Sequence, residues 1–120
     1  MLTNNSHNSL KRKYPRRYFR NLVGVLYRGK YTITNGIALG EGGMAFIWPI
    51  EIPIDFGTVV TFKIPGDGMF SIRSDIKNAI IWEEDPNYFF VGIQFQPLPI
   101  SEKRRIRAYV SSRADNEPLI

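Results

Sequence analysis

Over residues 21–95 the chain alternates short runs rich in Val, Ile, Thr, Phe and Tyr with breaks of Gly, Pro, Asp and Asn. β-Branched and aromatic side chains suit a pleated, half-buried surface, and the breaking residues supply turns. Leu22–Tyr27 and residues 31–34 flank Arg28-Gly29-Lys30, a hairpin loop whose glycine allows positive φ. Gly43–Trp48 reads as a strand stopped by Pro49, and residues 58–64 alternate faces up to the turn Pro65-Gly66-Asp67-Gly68. A run at 69–72 follows; the runs at 79–82 and 88–95 bracket Asp85-Pro86-Asn87 and are expected to pair with each other. About six strands at 8–12-residue spacing favour a small sandwich or barrel over any βαβ arrangement.

After Pro97 and Pro99 the period changes. Ser101 is placed to cap, Glu102 suits a first helical turn, and Ile106, Tyr109 and Val110 recur at helical spacing, so a short amphipathic C-terminal helix is expected. Its other face, with Lys103, Arg104, Arg105 and Arg107, reads as solvated. Residues 1–10 are polar and aperiodic and read as a disordered tail, 11–113 as a single domain, and 114–120 as a C-terminal tail.

Length and composition narrow the function classes. A chain of 120 residues holds one core. Without cysteine there are no disulfides, zinc–thiolate sites or thiol nucleophiles, and a reducing cytoplasm suits such a chain. No run approaches the roughly 18 apolar residues of a membrane span, and no apolar signal-peptide core follows the N-terminus, so a cytoplasmic location is expected. Catalysis has little to work with, because the single histidine, His7, falls in the polar tail. The acid cluster Glu83-Glu84-Asp85 sits at a hairpin tip and reads as solvated. The expectation is no enzyme, no cofactor and no metal.

The formal net charge is +5, unevenly spread. The first twenty residues carry Lys11, Arg12, Lys13, Arg16, Arg17 and Arg20 and no acid, whereas residues 21–100 hold five bases against eight acids. A basic segment beside a mildly acidic body implies a localised anion site. Arg16 and Arg20, four apart in Arg16-Arg17-Tyr18-Phe19-Arg20, share a side in a strand or a helix, so two guanidinium forks converge. Such a pair suits phosphates and purines, which Arg binds bidentately and by stacking. The plainer reading is a generic polyanion-binding tail. A second cluster, Ala38-Leu39-Gly40-Glu41-Gly42-Gly43-Met44, permits close backbone approach to a ligand or, equally, a sharp barrel corner.

In order and spacing these pieces resemble the PilZ family, a bacterial receptor domain for cyclic di-GMP. An Arg-x-x-x-Arg segment precedes the first strand, and a glycine motif of the form Asp/Asn-x-Ser-x-x-Gly follows it. Residues 57–65 resemble the family's central strand, and Val91-Gly92-Ile93-Gln94-Phe95 its closing Gly-x-x-Phe strand. The resemblance, over roughly residues 12–110, implies an all-β fold: a six-stranded antiparallel barrel with a short C-terminal α-helix. It implies cyclic di-GMP as ligand, held by Arg16 and Arg20 with Arg17 as a supplementary contact, and by Ala38, Gly40 and Gly43 of the glycine motif. Gly43 matches the motif's last glycine. Ala38 stands where an Asp or Asn would accept from guanine, and Gly40 where a Ser hydroxyl would meet the ligand. Losing two polar contacts at about 1–3 kcal/mol each costs about 2–6 kcal/mol. Asn35, Glu41 and Trp82 are candidate substitutes; their plainer readings are a turn, a solvent-facing loop residue and a core or interface aromatic.

The resemblance further implies a receptor or adaptor whose basic segment is mobile without ligand, folds onto the barrel on binding, and so changes the surface shown to an unidentified protein partner. A first alternative is a degenerate PilZ-like adaptor that binds a protein and no cyclic di-GMP. Single-stranded nucleic-acid binding ranks third: Tyr14, Tyr18 and Phe19 interleave with bases, but the barrel body is net acidic.

Overall fold

The computed structural model describes residues 16–112. The tails assigned to 1–10 and 114–120, His7 and the bases Lys11 to Lys13 lie outside the described residues. Seven strands and one helix follow in order: β1 Arg16–Tyr18, β2 Leu22–Tyr27, β3 Lys30–Gly40, β4 Gly43–Trp48, β5 Gly57–Ile64, β6 Gly68–Ile81, β7 Phe89–Phe95 and α1 Ile100–Ser111. The sheet runs β3-β2-β5-β6-β7-β4, and β4 pairs back onto β3, which closes a six-stranded antiparallel barrel. β1 is an additional strand outside that ring.

Two strands are longer than the sequence pattern indicates, for one reason. β6 pairs with β5 from Gly68 to Asp75 and with β7 from Ser74 to Ile81, so its two halves serve different neighbours. β3 likewise pairs with β2 over Lys30 to Asn35 and with β4 from Gly36 onward. Such stagger is what closing a sheet into a barrel requires. The run at 69–72 and residues 79–81 are therefore one strand, carried through polar Arg73 and Asp75 on its outer side, and Trp82 falls just beyond its end. The β2–β3 hairpin turns on Arg28 and Gly29, both at positive φ (53° and 77°), the two-residue turn that matches strand twist.

The inward positions meet in one core. Phe62 stacks on Phe70 and Phe95 with centroids 5.5 and 6.3 Å apart. Phe19 meets Phe62 edge-on at 5.7 Å and Tyr109 at 6.1 Å. α1 closes one end of the barrel with Ile106 and Val110, which are 0% and 3% exposed. Helix periodicity placed those two correctly, but Ser101 is not the cap. Pro99 occupies that position without a side-chain bond, and its carbonyl accepts from the N–H groups of Glu102 and Lys103.

Candidate functional site

β1 and β2 lie almost in line along β3, broken at residues 19–21. Arg16 stands opposite Gly40, Arg17 opposite Leu39 and Tyr18 opposite Ala38, while β2 takes up the pairing at Leu22 opposite Asn35. Across the break the Phe19 N–H donates to the Ile37 carbonyl (2.9 Å) and the Gly36 N–H to the Asn21 carbonyl (2.8 Å). Gly36 has to be glycine, because a Cβ there would lie 2.5 Å from the Phe19 carbonyl oxygen. The arginine segment expected to be mobile until ligand binds is thus, from Arg16 to Tyr18, a paired strand. Its pairing sets it beside the two departing positions of the glycine motif, Ala38 and Gly40.

Strand alternation then sorts the side chains. Phe19 enters the core at 1% exposed, and Arg17 turns the same way. The Arg17 guanidinium donates to the Tyr109 carbonyl oxygen (2.9 Å) and sits 4.1 Å from the centroid of the Tyr109 ring. Arg16, Tyr18 and Arg20 face outward, and the Arg20 guanidinium lies over the Tyr18 ring at 5.0 Å. The arginines four apart do share a face. Buried Phe19 is removed from any base-stacking surface, which takes away part of the argument for nucleic acid.

Ala38 is 3% exposed and forms a small outer cluster with Ile37 and Ala45, against which Ile47, Trp82 and Phe90 pack. Among the proposed substitutes, this brings Trp82 to the site. Asn35 lies within β3 opposite Leu22, in a strand instead of a turn. Glu41 is neither solvent-facing nor available: its side chain is 7% exposed, and Arg107 donates Nε to Oε1 (2.7 Å) and Nη2 to Oε2 (3.0 Å). That hydrogen-bonded guanidinium, opposed by desolvation and aided by the charges of Arg107 and Lys103, holds the Glu41 carboxyl below its ordinary pKa. Arg105 is exposed, as its place on the solvated helix face implies, and there it binds Asp67 through Nε (3.0 Å) and covers the Phe70 ring at 4.3 Å.

Gly43, the matching motif glycine, is fixed by packing. Opposite Gln94 at the β4–β7 seam, its backbone runs so close to β7 that a Cβ would overlap the Ile93 carbonyl oxygen. Of the six site residues expected from the sequence, Arg16 stands beside Gly40, Ala38 stands beside Tyr18 with Arg20 over that ring, Arg17 fastens β1 to α1, and Gly43 fixes a seam. The clamps Arg17–Tyr109 and Glu41–Arg107 carry no local sequence signal, since their partners are 92 and 66 residues apart. Among the described residues no group of three or more His, Cys, Asp or Glu could hold a metal, and no helix is long and apolar enough to cross a membrane.

The architecture is thus a closed antiparallel barrel with an arginine strand at its rim and a helix packed on its core. The chain belongs to the PilZ domain family, whose model matches residues 10–112. PilZ domains are ligand-binding receptor domains, and no catalytic family is indicated. Its fold is similar to the Bacillus subtilis inhibitor of motility MotI/DgrA (TM-score 0.74, 9% identity, covering 84% of this chain and 49% of that one). It is also similar to Klebsiella pneumoniae MrkH in complex with c-di-GMP (0.67, 18%, 82% and 50%). The Escherichia coli YcgR PilZ domain with c-di-GMP matches at TM-score 0.64 and 13% identity, over 85% of this chain and 90% of that one. The chain thus spans about half the length of the first two. No curated protein matches it.

Proposed function

We propose that this chain is a cyclic di-GMP receptor or adaptor module that alters its surface on binding and thereby regulates a protein partner, without catalysis and in the cytoplasm. The observation that carries the reading is the register of β1, which sets Arg16 beside Gly40 and Tyr18 beside Ala38, with the Arg20 guanidinium over the Tyr18 ring. Two outward guanidiniums can take the two phosphates and contact guanine O6 and N7. Trp82, packed against the Ala38 cluster, supplies aromatic surface for a purine. Because β1 is already paired, the response to ligand passes through the clamps rather than through folding of residues 16–18. Arg17 joins the arginine strand to α1, and Glu41 joins the glycine bend to the same helix. Ligand that shifts either element therefore acts on α1, the surface a partner would read.

Calorimetric titration of cyclic di-GMP, with Arg16→Ala as the variant and GTP as the control, tests this. Micromolar binding that Arg16→Ala abolishes is expected; no heat up to millimolar ligand refutes it. The competing reading, an adaptor that binds no cyclic di-GMP, draws on one observation: Ala38 is apolar, buried and already packed, so it offers guanine no acceptor. Under it a protein partner binds with or without the nucleotide.

A further inference from the structure

We infer that Asn78 reads the base edge of the ligand, supplying from the far side of the site the polar contact that position 38 lacks; the inference rests on the reading just given. The pairing aligns Tyr18, Ala38, Ala45, Gly92 and Asn78 in one row across five strands. Directly opposed residues of antiparallel strands turn to the same face, about 4.8 Å apart from strand to strand. The row has the arginine strand at one end, an amide at the other, and only two alanines and a glycine between them. Ile47, Trp82 and Phe90 pack over the two alanines, each 3% exposed, so a planar base lies against that apolar cover beside the Trp82 ring, and polar edge contacts from this row come from its ends.

At the β1 end the arginines only donate, and Tyr18, the row's own residue there, offers a single hydroxyl beneath which no second polar group of the row stands. Guanine presents ring N–H and amino donors beside its O6, so its edge needs an acceptor, and a donor to O6 only adds to it. Glu41, the acid nearest to Ala38 and Gly40 in sequence, has both oxygens on Arg107. Asn78 carries an acceptor and a donor on one planar group, and two independent features aim it at the row. A register shift between Ile76 and Asn78 interrupts the β6–β7 ladder, and such bulges redirect a side chain. Opposite it, residue 92 is glycine, and the Asn78 Oδ1 lies 2.8 Å from where a Cβ of residue 92 would stand. The amide therefore occupies the space above Gly92, on the way to Ala45, which a larger residue there would deny it.

The test titrates cyclic di-GMP and cyclic di-AMP into the folded wild-type chain, Asn78→Ala and Asn78→Asp, with melting temperatures alongside. Asn78→Ala is expected to weaken cyclic di-GMP by about tenfold or more at unchanged melting temperature. Asn78→Asp keeps the acceptor for guanine and loses the donor that adenine N1 requires. It is therefore expected to hold cyclic di-GMP within a few-fold of wild type and to increase discrimination against cyclic di-AMP by about tenfold. Unchanged cyclic di-GMP affinity in Asn78→Ala overturns the assignment, as does an equal loss of both ligands in Asn78→Asp. If Arg16→Ala abolishes binding while Asn78→Ala does not, the receptor reading stands and only the role of Asn78 falls. A folded wild type that binds neither ligand refutes the receptor reading itself, and the assignment with it.

Discussion

Glu41→Gln isolates the contact that ties the glycine bend to α1. The carboxylate is 7% exposed and bound through both oxygens, whereas the Arg107 side chain is 54% exposed. Glutamine keeps the shape and one acceptor but turns an NH2 group toward a guanidinium that has nothing to accept with. Breaking a fully buried pair costs about 3–5 kcal/mol. Here the freed Arg107 can turn to water, so the scale is that of a charge-assisted bond in a half-exposed setting, about 1–2 kcal/mol. In a domain of this size that lowers the melting temperature by roughly 3–10 °C.

Proton linkage gives the same substitution a second signature. Arg107 depresses the Glu41 pKa below its ordinary 4.5 in the folded state. The stability that follows from this is complete above the unfolded pKa and drains away as pH falls through the folded one. In urea titrations the gap in midpoint between wild type and Glu41→Gln should be full near about pH 7 and close progressively below the 4.5 reference, at constant slope. Coincident midpoints at neutral pH, or a gap that persists unchanged once both states are protonated, would show that the clamp does not contribute as its geometry indicates.

The barrel was legible because inward and outward positions alternate in β5 and β7 and turn residues bound the apolar run of β4, and the helix because Ile106, Tyr109 and Val110 recur at its period. The lengths of β3 and β6 were not. Residues 35–38 and 73–78 interrupt alternation where a strand passes from one neighbour to the next, and each interruption coincides with a register shift or a change of pairing partner. β1 escaped notice because three consecutive residues, two of them arginine, look like a charged linker until a partner strand is supplied. Within the site, four-residue spacing gave the shared face of Arg16 and Arg20. Spacing is silent on contacts made across the whole chain, and so on the Tyr109 ring that the Arg17 guanidinium covers. For the same reason Glu41 reads as solvent-facing though it is buried, and Arg107, which is exposed, gives no sign of the carboxylate it holds.

Arg17→Met should lower stability by about 1–2 kcal/mol, because it removes the bond to the Tyr109 carbonyl and the stacking on its ring. In calorimetry the folded Arg17→Met fraction should lose less cyclic di-GMP affinity than Arg16→Ala; a greater loss would make Arg17 a direct contact. Phe19→Ala should cost about 3–5 kcal/mol in urea unfolding, since this aromatic between the arginines is 1% exposed and touches both Phe62 and Tyr109. Gly43→Ala separates a backbone requirement from a ligand contact. The added Cβ meets the Ile93 carbonyl oxygen, a backbone atom that moves only if β4 and β7 part, and the neighbouring bond from the Phe95 N–H to the Gly42 carbonyl (2.9 Å) moves with it. A loss of about 1–3 kcal/mol is expected, together with amide exchange in β4 and β7 that is faster than in β2 and β5. Weaker ligand binding by Gly43→Ala therefore reports a displaced seam, unless stability and exchange match wild type; in that case the seam argument is wrong and Gly43 meets the ligand itself.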